Sequence, residues 1–412
     1  MSTTPRVTRE TALASAVRYV SPLGAYTVRD VSLGILPRGD RSVTDRLVWQ
    51  IGIDVNNPFE DPAEWRVFVD AQSGAVAFAY NDLHTADVGG IAKTMFSGDN
   101  AVRLDKTASS TYALRDLTRG GGNYTCTMNN STISCALATT STTTFGTGTV
   151  TTSGITAAGD AHFGMQATWD YFKNTFGRNG INNAGKRAYS RVHYGNRYEN
   201  AFWSDSCFCM TYGDGATTFQ PLVSVDVAGH EMAHGVMATS ANLTYSGESG
   251  GLNESSSDIF GTLVEYAVNS AADVPDYWIG ERIFKANWVN GVYSQTRALR
   301  YMNDPAKDGA SRACWSSGLG TIDVHYSSGP NNHMFWLLAE GGTSKCNGAV
   351  VTGIGRAKAA QIWYKAINTY MTKSTNYAGA RAAALSAASA LYGSSSPEKA
   401  AVAAAYSAIN VN

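Results

Sequence analysis

The chain has 412 residues, enough for two or three cores at ~100–200 residues per domain. Its 32 basic and 33 acidic residues leave a formal net charge of -1, with no basic stripe or acidic block, which argues against nucleic acid as a partner. No apolar run approaches the ~18 residues that a membrane span requires, so no membrane partner is expected either.

Residues 1–84 read as a small separate α+β unit. Thr8 to Val20 carries Leu13, Ala16, Val17 and Val20 at helical spacing. Arg46–Val55 and Trp65–Tyr80 alternate apolar and polar residues as strands do, and Asp70-Ala71-Gln72-Ser73-Gly74 supplies a hairpin turn. The unit contains no catalytic constellation. From residue 85 to 158 the chain is rich in Thr, Ser, Gly and Asn, including the run ATTSTTTFGTGTVTTSG. Flanking cysteines and short alternating segments favour an ordered, Thr-rich antiparallel sheet over a disordered linker. Further on, Gln166–Phe176 reads as a helix, and Ser190–Tyr194 and Asn200–Trp203 as strands. Beyond Val223 the pattern is mainly helical, ending in Ala-rich segments at Arg356–Thr369, Thr375–Leu391 and Pro397–Ile409. These lack sustained heptads and are expected to pack as globular helices.

The chemistry concentrates in Asp226-Val-Ala-Gly-His230-Glu231-Met-Ala-His234. On a helix, residues four apart share a face, so both imidazoles can address one ion. A catalytic zinc usually keeps three protein ligands and an open position for water. Glu231, beside the first histidine, can reach that water without ligating the metal. HExxH alone also fits two structural histidines on a helix. About twenty residues on, Gly250-Gly251-Leu252-Asn253-Glu254-Ser-Ser-Ser-Asp258 places a second pair, Glu254 and Asp258, on one helix face. One of these carboxylates can complete a zinc triad, and the other can accept a hydrogen bond from the far nitrogen of a ligand histidine.

HEMAH, then Tyr245 and GGLNESSSDIFGTLVEY, resembles the thermolysin family of zinc peptidases. The similarity extends through DAHFGMQATWDYF, Asn200-Ala201-Phe202-Trp203, Tyr212-Gly213-Asp214-Gly215 and Asp323-Val324-His325-Tyr326-Ser327-Ser328-Gly329. The resemblance runs from about Asp160 to the C-terminus. Cys207-Phe-Cys209 and GIGRAKAAQIWYKA resemble the actinobacterial-type secreted members, and residues 1–84 resemble the C-terminal half of a pro-region.

The resemblance implies an α+β, two-lobed zincin fold preceded by that small α+β module. Its β-rich N-terminal lobe spans 85–238 and ends in the HExxH helix, and its helical lobe spans 239–412. It implies His230, His234 and Glu254 as zinc ligands, Glu231 as catalytic base, and Asp258 and Asn253 as partners of His230 and His234. Tyr245 and His325 should donate to an oxyanion, with Asp323 fixing the protonation of His325. Arg300 should grip a substrate carbonyl, while Asn200 and Ala201 pair with substrate backbone. Phe219, Leu222, Val227, Ile283 and Leu299 should line an apolar pocket after the scissile bond. Asp226, Glu265, Asp276 and Glu281, with the main chain of Trp278, should hold one structural calcium, because Trp278 stands where a second ion would need an acid.

The activity implied is a secreted, monomeric zinc endopeptidase acting on protein or peptide substrates. It would be made as a proprotein whose residues 1–84 inhibit it and assist its folding until a cut near His84. The start MSTTPRVTRE lacks a secretory signal, so a leader is expected to have been removed or never cloned with this sequence. Six cysteines agree with an oxidising compartment. Their connectivity stays open, with Cys126–Cys135 the first pairing to expect and the tight Cys207–Cys209 ring the last. Two other readings compete. A zinc aminopeptidase would need an anchor for a free amine, and no GxMEN-type motif is present. A non-catalytic binding protein would have lost a ligand or the base. Outside the main set, His333 is expected to be a packing residue, and His84 and His162 structural or incidental.

Overall fold

The computed structural model describes residues 4–37, 45–55, 63–82, 86–108 and 110–412; the stretch around His84, where a cut was expected, lies outside them. Near the N-terminus, α1 (Arg9–Val20) begins where the Thr8 hydroxyl accepts from the Thr11 amide at 3.2 Å, and it ends at Ser21 in the left-handed region. It lies on a four-stranded antiparallel sheet of β1 (Tyr26–Leu36), β2 (Arg46–Val55), β3 (Ala63–Asp70) and β4 (Val76–Asn81) in that order. Ala12 and Ala16 pack there on Ile51, Ile53, Val67 and Val69, all fully buried. The β3–β4 turn forms as expected, with Asp70 Oδ1 accepting from the amides of Gln72 and Ser73 at 2.9 and 3.0 Å. The sequence reading missed β1, because a bulge between Val28 and Asp30 interrupts its alternation.

Two sheets follow. One runs β11 (Thr139–Thr140), β7 (Thr111–Ala113), β6 (Asp99–Ala108), β5 (Ala86–Lys93), β12 (Thr144–Phe145). The other runs β10 (Ala136–Leu137), β9 (Asn123–Thr127), β13 (Tyr189–Val192), β15 (Cys209–Tyr212), β14 (Ala201–Ser204), with β8 (Arg115–Asp116) on β9. Neither is purely antiparallel: β12 joins β5 in parallel, and β13 is parallel to both β9 and β15. The Thr-rich run from 138 to 154 contributes only β11 and β12. Elsewhere its hydroxyls accept from amides two residues on, as Thr147 does from Thr149 at 3.3 Å and Thr151 from Ser153 at 3.2 Å, so side chain-to-backbone bonds replace a ladder.

Helix α2 (Thr156–Phe176) starts ten residues before the expected Gln166. Its first turns are almost wholly buried and built from small residues, so no polar face marks them in the sequence. Two helices then carry the metal motif, α3 (Val225–Ala238) and α4 (Gly247–Val268). They meet at glycines: a Cβ on Gly229 would lie 3.0 Å from the Gly261 Cα, and one on Gly261 would lie 2.4 Å from the Asp226 carbonyl oxygen. Backbone-to-backbone contact of this kind is available only to residues without a side chain, and it brings the two motif helices together. After α4 come three two-stranded sheets and the helices α5 (Val324–Ser327), α6 (Gly329–Glu340), α7 (Arg356–Thr369), α8 (Tyr377–Tyr392) and α9 (Pro397–Ala408). Asn376 and Ser396 cap α8 and α9 by accepting from Gly379 and Lys399 amides.

One core joins α4 to α6–α9, and a second joins the two sheets to α2 and part of α3. The cysteines pair as 126–135, 207–209 and 314–346, with Cα–Cα distances of 5.6, 5.3 and 5.2 Å. No helix among the described residues is long and apolar enough to cross a membrane.

Candidate metal centre and cleft

A cleft of about 660 Å³ lies between the lobes, with α3 along it. His230 and His234 present their Nε2 atoms 3.0 Å apart. Their Nδ1 atoms are held from behind, His230 by Asp258 Oδ1 at 2.9 Å and His234 by Asn253 Oδ1 at 2.8 Å. With each Nδ1 carrying a proton to its acceptor, both Nε2 lone pairs converge on one point. Glu254 closes the triangle, 3.5 Å from His230 Nε2 and 3.3 Å from His234 Nε2. Its Oε2 is buried without a hydrogen-bond partner. Two lone pairs and a buried carboxylate aimed at one another are stable only around positive charge. Burial works against a charged His234, yet Glu254 overcomes that and lifts its pKa to about 9, the direction expected where a buried carboxylate favours positive charge beside it. The donor set of two imidazoles and one carboxylate suits zinc with an open position.

Asp258 is the hub behind the ligands. It is fully buried, accepts from Arg300 Nε and Nη2 at 2.7 and 2.6 Å, and from Asn332 Nδ2 at 2.8 Å. Burial alone would raise its pKa, but Arg300 and His230 hold it well below the ordinary carboxylate range. Arg300, assigned to a substrate carbonyl, thus spends Nε and Nη2 on Asp258. Its side chain still lines the cleft, and Nη1 has no hydrogen bond among the described residues. The sequence reading missed Asn332, whose place in Gly-Pro-Asn-Asn-His carries no local signal.

Glu231 lines the cleft one residue from His230; burial raises its pKa, with the two histidines opposing. Opposite, the Tyr245 hydroxyl donates to Glu254 Oε1 and lies 3.4 Å from His325 Nε2. His325 Nδ1 sits 2.8 Å from Asp323 Oδ1, which fixes the ring with Nε2 toward the metal point. Asn200 and Ala201 line the cleft at the start of β14, the edge strand of its sheet. Of the five pocket residues expected, Leu222, Val227 and Leu299 line the cleft. Phe219 packs on Phe284 at 4.9 Å, and Ile283 is fully buried in the sheet-side core. Ile279, not foreseen, lines the cleft in their stead. His333 is fully buried, with Nδ1 3.2 Å from the Met302 carbonyl oxygen, and His162 bridges Thr125 and the Arg103 carbonyl.

A second acidic cluster lies at the C-terminal end of α4, which supplies Glu265. Glu265, Asp273 and Glu281 are nearly fully buried and offer oxygens within 4.8 Å of one another. Both Glu265 oxygens, Asp273 Oδ2 and Glu281 Oε2 have no hydrogen-bond partner. Such a group of acids is arranged for a metal ion, and oxygen donors alone suit a hard cation. Asp273, absent from the sequence reading, belongs to it. Asp226 and Asp276 flank the cluster with their oxygens engaged, Asp226 by Ser224 Oγ and the Gly280 amide, Asp276 by the Trp278 amide and Gln295.

Comparison with other proteins gives the chain a family. Residues 90–238 match the family described as "Thermolysin metallopeptidase, catalytic domain", and residues 241–411 match its "alpha-helical domain". A Transglutaminase-activating metalloprotease of Streptomyces mobaraensis is 48% identical over 85% of this chain, which spans 46% of that relative's length. Bacillolysin of Bacillus cereus is 38% identical over 94% of this chain and 73% of its own. Among solved structures, the precursor of protealysin from Serratia proteamaculans superposes with a TM-score of 0.55 at 27% identity, covering 72% of this chain and 89% of that one. The chain belongs to the thermolysin family of metallopeptidases.

Proposed function

We propose that this chain is a zinc-dependent endopeptidase, secreted and made as a proprotein. The observation that carries the reading is the convergence of His230 Nε2, His234 Nε2 and Glu254 on one point inside an open cleft, with Glu231 beside it. When bound there, zinc would lower the pKa of a water toward ~7 and polarise the peptide carbonyl. Glu231 takes the proton of the attacking water and passes it to the departing amine. Tyr245 and His325 donate to the oxygen that gains charge, and Asp323 keeps the His325 proton placed for that. Arg300 offers Nη1 to a substrate carbonyl, while Asn200 and Ala201 meet substrate backbone along the β14 edge.

Leu222, Val227, Ile279 and Leu299 would hold a bulky apolar side chain after the scissile bond. Val227 before the two histidines and Ala238 after them both line the cleft, which favours internal bonds over a chain end. Glu265, Asp273 and Glu281 would hold calcium, with Asp226 and Asp276 around it. Arg282, whose Nε lies 3.4 Å from Asp273 Oδ1, already supplies one positive charge there and favours a single ion. The disulfides fit secretion. Residues 1–84 would be a pro-segment, in keeping with the likeness to a precursor structure, although none of their described residues lines the cleft.

One experiment tests the core of this. Glu231→Gln should retain zinc, fail to hydrolyse an N-terminally blocked peptide, and stay at full length by mass spectrometry. The unaltered chain should hydrolyse the peptide and lose a segment ending near residue 84. Ordinary turnover in Glu231→Gln would sink the mechanism. Full activity with residues 1–84 still joined would sink the pro-segment.

A further inference from the structure

The charged groups of the cleft that the chemistry above does not use are Lys373 and Asp205, among the described lining residues. Asp205 is engaged, accepting from Trp203 Nε1 at 2.6 Å. Lys373 is exposed, and no ion pair joins it to an acid among the described residues. Its backbone is fixed, since its carbonyl oxygen accepts from the Thr244 amide at 2.8 Å. That tie fastens the connection between α7 and α8 to the segment that leads from α3 to Tyr245.

The position along the cleft follows from α3. Along α3, Val227 of the apolar pocket precedes the two histidines and Ala238 follows them; Ala238, Asn242, Thr244 and Lys373 all line the cleft. At ~1.5 Å per residue, the point between His230 and His234 lies about 9 Å from Ala238. An extended peptide advances ~3.3 Å per residue, so that distance is about three substrate residues. If the apolar pocket takes the residue after the scissile bond, as in the reading above on which this inference rests, Lys373 faces the other side.

We propose that Lys373 is a specificity-determining residue that favours an acidic side chain two or three residues before the bond that is cut. An unpaired ammonium on a flexible stem reaches a carboxylate there without displacing another partner, and a lysine or arginine at the same substrate position meets like charge.

The test uses quenched-fluorescent peptides identical except for Glu, Gln or Lys at those two positions. For the unaltered enzyme, kcat/KM should be about three- to fivefold higher for Glu than for Gln, since exposed ion pairs reach ~1 kcal/mol, or about fivefold. The ratio should shrink with added salt. It should fall to about one in Lys373→Gln, and Lys373→Glu should favour the Lys peptide. Equal rates for Glu and Gln peptides in the unaltered enzyme, or a preference that survives in Lys373→Gln, overturns the assignment. If no peptide is cut by the zinc-loaded enzyme, the endopeptidase reading falls, and this one with it.

Discussion

Replacing Gly261 by alanine adds one methyl group where α3 and α4 touch. That methyl would lie 2.4 Å from the Asp226 carbonyl oxygen and 3.2 Å from the main-chain nitrogen of His230. Ordinary contact needs about 3.5 Å, so the helices must part by about 1 Å. The atoms in the way are backbone and cannot swing aside. Overpacking of this kind costs up to ~3 kcal/mol, and the better helix propensity of alanine returns ~1 kcal/mol, leaving a loss of about 2 kcal/mol. The same shift draws Glu254, on α4, away from the imidazoles on α3 that now stand 3.3 and 3.5 Å from it. A 1 Å misplacement costs catalysis on the order of 100-fold. Thermal unfolding with and without zinc, zinc affinity by chelator competition, and peptide hydrolysis measure the three effects. Gly318→Ala is the control, because a Cβ there meets nothing within 4 Å. If Gly261→Ala keeps the unaltered unfolding temperature and zinc affinity, the glycine contact does not set the metal site.

Other perturbations separate the remaining parts. His325→Ala should keep fold and zinc while losing ~2.7–4 kcal/mol of transition-state stabilisation, the usual cost of an oxyanion donor; unchanged kcat/KM would make His325 a surface residue. Glu265→Gln should abolish the calcium response of unfolding, which in the unaltered protein should reach ~2.7 kcal/mol at calcium 100-fold above Kd; equal calcium shifts in both would remove Glu265 from the site. His193 is buried between Asp214, 2.7 Å from Nδ1, and the Gly154 carbonyl oxygen, 2.9 Å from Nε2. Burial lowers its pKa, but Asp214 overcomes that and raises it. The stabilisation is therefore complete below the ordinary histidine value of ~6.5 and lost as pH rises through the folded value. The stability difference between the unaltered protein and His193→Gln should shrink as pH rises above that value; a pH-independent difference would show that the imidazolium is not what matters.

Much of this protein is written locally. The spacing of His230 and His234 places them on one helix face before any fold is known. Thr8, the Asp70–Gly74 turn and the Ala-rich C-terminal helices likewise carry their own start, turn and period, because capping, turn chemistry and amphipathicity act within a few residues. Local signals fail where a segment is buried on all sides or broken by an irregularity. The first turns of α2 have no polar face to betray a period, and the bulge in β1 hides its alternation. The Thr-rich run looks like strand but bonds its hydroxyls to its own backbone.

What only the tertiary structure decided are meetings between distant segments. The residues alone left Glu254 and Asp258 interchangeable; in the fold Glu254 faces the imidazole nitrogens, while Asp258 lies behind with Arg300 and Asn332. Asp273 joins Glu265 and Glu281, Ile279 replaces Phe219 and Ile283 at the cleft wall, and Lys373 arrives from a loop more than a hundred residues after the histidines. Such pairings depend on how closely two backbones can approach, as at Gly229 and Gly261. That distance is set by the absence of a side chain on both partners at once, and neither helix records it alone.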